Sequence, residues 1–184
     1  MLKREEALSL IKKHITKKNW FLHMLAVEAI MRRLAEYLGE DQELWGLVGL
    51  IHDLDFEEVG GDMKRHGIVS TEILEGRIPE EAIHAIKAHN FEFTGIDPVT
   101  KLDKALIAAD AISGLVIACA LVMPSKKLSE VKVKSIRKKF KESSFARGVD
   151  RKRIMLCEDL GIERDTFFQL ALEALQSIHE ELGL

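Results

Sequence analysis

Apolar residues recur along this chain with the 3.6-residue period of a helix nearly everywhere, and nowhere with the sustained alternation of a strand. The fold class this predicts is all-α. A first helix is expected over about Arg4–His14 and a second over about Asn19–Leu38, which carries the stripe His23, Val27, Ile30, Leu34 and Leu38 and ends at Gly39. Asp41 is placed to cap a third, whose face Trp45, Val48 and His52 runs at i, i+3, i+7. Asp55 to Asp62, with Gly60-Gly61, reads as a loop. A fourth helix from about Met63 to Glu75 sets His66, Val69 and Ile73 on one face, and a fifth, with Pro79 in its first turn, lines up Ala82, Ile86 and His89. After a loop from Phe91 to Pro98, the capping box Thr100-Lys101-Leu102-Asp103 opens a long apolar helix with Leu106, Asp110, Gly114 and Ile117 on one stripe. Beyond Pro124 the pattern predicts a basic helix capped by Ser129, a loop around Gly148, a short helix from Asp150 to Leu160 and a last one from about Asp165 to Leu182. Two parts are expected: residues 1–124 as the main helical domain, and 125–184 as basic and amphipathic helices packed on it.

At 184 residues and 47% hydrophobic, the chain is long and apolar enough to bury a substantial core. The net charge of -3 offers no general attraction to nucleic acid or acidic membranes, but it hides an asymmetry. Between Lys126 and Arg153 stand 12 Lys and Arg against 3 Asp and Glu, a local +9 that leaves -12 for the rest. Cys119 and Cys157 stand alone in apolar stretches without C-x-x-C spacing, as buried reduced thiols do, which suits a cytoplasmic location. The acidic turn at Glu5-Glu6 does not suit a secretory signal. The one candidate span, Ala105 to Met123, carries Asp110 and is read as a core helix, so no membrane association is expected.

Six residues carry candidate chemistry: His23, His52, Asp53, His66, His89 and Asp110. His52-Asp53 follows the largely apolar run Leu44 to Ile51, so an imidazole and a carboxylate arrive where water is scarce. An ionised carboxylate there needs a cation or strong donors beside it. Taken singly, a histidine on an apolar helix face is more often a core residue than a ligand, and Asp53 could bond nearby amides. Asp110, mid-helix in an apolar stretch, has few local donors. All six fall on the apolar side of their helices, and imidazoles with carboxylates suit a divalent ion such as Mn, Fe, Co, Ni or Zn, with Mg also admissible. His84 points roughly 140° away from His89 and is excluded. His14 and His179, near the ends, have no acidic companion of this kind.

The order His23, His52-Asp53, Asp110 resembles that of the HD-domain superfamily of metal-dependent phosphohydrolases. His66, in His66-Gly67-Ile68-Val69, and His89, ending Ile86-Lys87-Ala88-His89, fall where its two-metal branch has further histidines. With His52-Asp53-Leu54-Asp55-Phe56, the chain is similar to an uncharacterised group of prokaryotic HD-domain proteins over about residues 20–120. The resemblance implies a helical bundle in which His23, His52, Asp53 and Asp110 hold one ion, while Asp53 bridges to a second held by His66 and His89. Many two-metal members have His-His where this chain has His89-Asn90, and often a Lys where it has Ser113, so one or two ions remain open.

The function expected is hydrolysis of a small phosphorylated substrate, possibly a nucleotide, by metal-activated water. Asp55, Glu58 and Lys87 are candidates for acid–base roles beside Asp53, and Arg65, Lys87 and Lys104 for substrate phosphate, all by proximity in sequence to the ligands. Two alternatives are a di-iron oxygenase of the HD type and a non-catalytic module binding a nucleotide or RNA through the basic tail. Nucleic-acid binding has little support, because the only aromatic of the basic helix, Phe140, belongs to its apolar stripe. Oligomeric state is not legible.

Overall fold

The structure, a computed structural model, describes residues 1–184 and is built of helices without strands. Helix α1 (Arg4–His14) leads into α2 (Lys18–Leu38), which stops at Gly39 with φ +71°. A short turn returns the chain into α3 (Gln42–Ile51), where Asp41 Oδ1 accepts from the amides of Glu43 and Leu44, as the pattern predicts. These antiparallel helices pack very closely: a Cβ on Gly49 would stand 2.9 Å from the Val27 carbonyl oxygen, and one on Gly46 would meet the Arg32 side chain. His23 lies one turn before Val27 and His52 one turn after Gly49, so this crossing sets their rings 5.4 Å apart.

The next segment corrects the sequence reading twice. Within the expected loop lies a helical turn, α4 (Phe56–Val59), held because Glu57 accepts from the amides of Thr16 and Lys17 and from the Thr16 hydroxyl, while Phe56 packs on Trp20. Helix α5 then spans only Ile68–Leu74, so His66 precedes it in a turn rather than sitting on its face. Gly67, at φ +85°, breaks the helical path, and a Cβ there would lie 2.9 Å from the Ile86 carbonyl oxygen. Helix α6 (Glu80–Ala88) delivers His89 at its end, and the expected loop after it contains one more turn, α7 (Phe91–Thr94).

Helix α8 (Lys101–Leu121) is the axis of the molecule. Thr100 and Asp103 form the expected capping box, and Asp103 also pairs with His84. The helix is long and apolar enough to cross a membrane, yet most of its residues are buried against α2, α6 and the C-terminal elements.

Ser129 does not cap the basic helix. It lies in a 3-10 turn (Leu128–Glu130), and α9 (Val133–Lys141) begins after Lys132. Short α10 (Arg151–Ile154) runs into a 3-10 stretch (Met155–Leu160) and then α11 (Arg164–Ser177). The last predicted helix is split. The Ser177 hydroxyl donates to the Ala174 carbonyl and Ile178 leaves helical backbone before α12 (His179–Leu182). Helix α11 packs on α2, α8 and α9, with Phe140 against Phe168, and α10 packs on α8. Both cysteines are buried and unpaired.

Candidate metal centre

All six candidate ligands come together, from α2, the end of α3, the turn before α5, the end of α6 and the middle of α8. Asp53 is the hub. Its Oδ1 lies 3.2 Å from His52 Nε2, 3.3 Å from His66 Nε2 and 3.5 Å from His89 Nε2, while Oδ2 lies 3.5 Å from His23 Nε2. Asp110 closes the other side, with Oδ1 3.1 Å from His23 Nε2 and 3.9 Å from His52 Nε2. Two groups of donors result, His23, His52 and Asp53, and Asp53, His66 and His89, which share the one carboxylate.

The four rings are held in the same sense. His52 Nδ1–H donates to the Gly49 carbonyl at 2.8 Å, His66 Nδ1–H to Asp55 Oδ1 at 2.8 Å, and His89 Nδ1–H to the Ile86 carbonyl. Carbonyl and carboxylate oxygens only accept, so the proton sits on Nδ1 and Nε2 faces the cluster. His23 follows by elimination. The Ser113 hydroxyl donates to the Asp110 carbonyl at 2.7 Å, which leaves its oxygen to accept from His23 Nδ1–H at 3.4 Å. Four inward nitrogens, each oriented by an outer partner, form the arrangement in which imidazoles bind metal ions.

With no cation between them, the two carboxylates draw positive charge from the rings instead. Burial pushes the Asp53 carboxyl upward, but His52, His66, His89 and His23 outweigh it and hold the group well below the usual range. Asp110 is also lowered, burial being overcome by its bond and attraction to His23 and the charge of His52. Burial lowers His52. It works against charge on His23 too, yet Asp110 and Asp53 raise that ring. On His66, burial loses to Asp53 and Asp55, and the imidazole rises to about 10.

The residues fit a metal. His52 Nε2 is buried with no hydrogen-bond partner, although it points at two carboxylates. His66 Nε2 and His89 Nε2 are 3.0 Å apart, a gap that demands a shared proton or a cation. Two nitrogens each bound to one ion at roughly 2.0–2.1 Å take about that separation at a right angle. No cysteine takes part, and mixed N and O donors suit the divalent ions of the first transition series.

The other predicted residues fare differently. Asp55 is fully buried: besides His66 it accepts from the amides of Gly67 and Ser70, both at 2.8 Å, so it orients a ring and caps α5 rather than serving as a solvated acid or base. These partners also lower its carboxyl against the effect of burial. Glu58 faces His14 at 3.6 Å, on the α1 side, which also gives His14 the acidic companion the sequence did not show. Lys104 pairs with Asp159 at 3.2 Å and ties α8 to the C-terminal 3-10 stretch instead of facing the cluster. Arg65 is exposed and Lys87 half-buried, and neither is ion-paired with the six. Asn90, standing where a second histidine is common, donates to the carbonyls of Met63 and His66 and fixes the His66 turn.

One residue near the cluster was missed. Arg153, on α10, reaches Asp110 Oδ2 at 3.7 Å and binds Glu92 through two nitrogens. The charge excess of residues 126–153 was its only sequence signal. Exposure shows where the centre opens, since His23 and Asp110 side chains are 22% and 24% exposed while those of His52, His66 and His89 are buried. A separate groove of about 970 Å³ lies by α1, α2 and α11, and its buried Glu28 is already bonded to Arg4 and Arg32.

A family model for the HD domain matches residues 20–115, a stretch that contains all six cluster residues and excludes Arg153. No curated protein and no solved structure gave a match.

Proposed function

The chain belongs to the HD domain family, and from that premise we propose that it is a metal-dependent phosphohydrolase acting on a small phosphorylated molecule, with nucleotides as the first class to test. The observation that carries this reading is the convergence of four Nε2 atoms on Asp53, each ring fixed from outside and one nitrogen buried without a partner. His23, His52, Asp53 and Asp110 would hold one ion, and Asp53, His66 and His89 a second. A bound divalent ion supplies Lewis acidity, making water a nucleophile near neutral pH and offsetting phosphoryl charge.

The chain's own contribution is placement and exclusion. Gly49, Asp55, Ile86 and Ser113 keep the imidazole lone pairs inward, so little reorganisation is left for the reaction. The buried His52, His66 and His89 close the inner end to water, and substrate approaches from the His23 and Asp110 side.

The test is a panel of phosphomonoesters, phosphodiesters and nucleoside triphosphates with Mn, Co, Ni, Fe and Mg, together with metal content per chain. Hydrolysis is expected from the wild type and not from Asp53→Ala, with helicity kept in both. A protein that holds metal but shows only iron-dependent oxygen uptake, or no turnover at all, would overturn the proposal.

A further inference from the structure

We propose that Arg153 is the phosphate-binding cation of this site: its guanidinium gives up Glu92 and takes the non-bridging oxygens of the substrate's phosphoryl group, so the C-terminal extension completes the pocket. The proposal rests on the phosphohydrolase reading and adds a residue outside the matched family region.

Every other ion pair of the six cluster residues is made with a histidine or within the cluster, apart from the bond of His66 to Asp55. Arg153 is the one Lys or Arg within ion-pair reach, and it stands on the open side, against the Asp110 oxygen that faces away from His23. An incoming phosphoryl group meets Asp53 and Asp110, so a fixed positive charge at this mouth serves it directly. A guanidinium can meet two phosphoryl oxygens at once, which a lysine cannot.

The side chain is already in place. Asp150 caps α10, Arg151 donates to the carbonyls of Ala146, Phe145 and Val149 in the preceding loop, and Ile154 is fully buried. That loop comes close to α8 because residue 114 is glycine, where a Cβ would lie 3.1 Å from Val149. The Phe91 ring lies 5.7 Å from the guanidinium carbon. The present partner is replaceable. Glu92 is 39% exposed, so its carboxylate gains water when it lets go, and a phosphoryl dianion, which carries twice the charge and offers the same pair of oxygens, can take its place.

The experiment titrates the manganese-loaded full chain with inorganic phosphate by calorimetry, in the wild type, Arg153→Gln, Glu92→Gln and the double variant. Arg153→Gln should weaken phosphate at least about tenfold at unchanged manganese content and helicity. Glu92→Gln should tighten it about threefold by freeing the guanidinium, and should change nothing once Arg153 is Gln. Phosphate affinity within about twofold of wild type in Arg153→Gln, or tightening by Glu92→Gln that persists without Arg153, overturns the proposal. If Arg153→Gln loses metal or unfolds, Glu92→Gln decides: tightening supports the proposal and no change overturns it. A wild type that hydrolyses phosphate esters while Arg153→Gln binds phosphate normally sinks this proposal alone, whereas a wild type that takes up no metal sinks the hydrolase reading and this one with it.

Discussion

The proton on each Nδ1 governs what each histidine can do, and Asp55 shows how. As a carboxylate it accepts from His66 Nδ1–H. An Asn there keeps an oxygen for the Gly67 and Ser70 amides but turns an amide N–H toward His66, which moves the ring proton to Nε2 and removes the inward lone pair. Asp55→Asn should therefore cost about 10–100-fold in metal affinity, read by competition with a chelator, with circular dichroism unchanged. The sequence presented the six cluster residues through their apolar neighbours and the order of the His and Asp positions, although His66 stands in a turn and not on the helix face expected for it. It could not present Asp55's role, since that depends on a turn eleven residues away. Glu58 and Lys104 misled for the same reason: His14 and Asp159, which claim them, lie far off in sequence. The two cysteines give a prediction of opposite character. Burial pushes Cys119 up to about 11 and Cys157 to about 12 from 9.0. Both should resist iodoacetamide at pH 8 in the native protein and react in urea. Because the fold favours the neutral thiols, their contribution is full below pH 9 and is lost as pH rises toward 11 to 12, so urea midpoints should fall over that range.

At the scale of elements, helices with long apolar stripes were legible, and their ends were legible where one residue dictates the stop, as Gly39, Asp41 and Thr100 do. Boundaries set from a distance were not. The start of α5 depends on Asp55 reaching over to cap it, and α4 exists because Glu57 is bound to the start of α2. The crossing of α2 and α3 is the element-level feature with the clearest consequence. Because the Gly49 contact is with the backbone of Val27, a side chain there cannot be accommodated by a rotamer change. Gly49→Val should destabilise the protein by about 1–3 kcal/mol in chemical denaturation and lower metal occupancy by separating His23 from His52.

Over the whole molecule, the cluster draws on four helices and the turn before α5, with Arg153 adding a contact from the C-terminal part. An ion held only by the folded arrangement stabilises all of them together. Free manganese at about 100 times its dissociation constant should add about 2.7 kcal/mol, a rise in Tm of roughly 5–10 °C for a chain of this size. Differential scanning calorimetry with and without chelator measures it, and Asp53→Ala should abolish the shift. The gathering of the six residues was anticipated from the sequence, but the open side at His23 and Asp110 was not, because exposure depends on how distant helices pack.

That direction has a kinetic corollary. His66 and His89 lie at the blind end and His23 with Asp110 at the open one, so with both sets filled an ion leaving the inner set would have to pass the outer set first. Exchange would then be a queue: the outer occupant would turn over with the solvent, and the inner one would wait behind it.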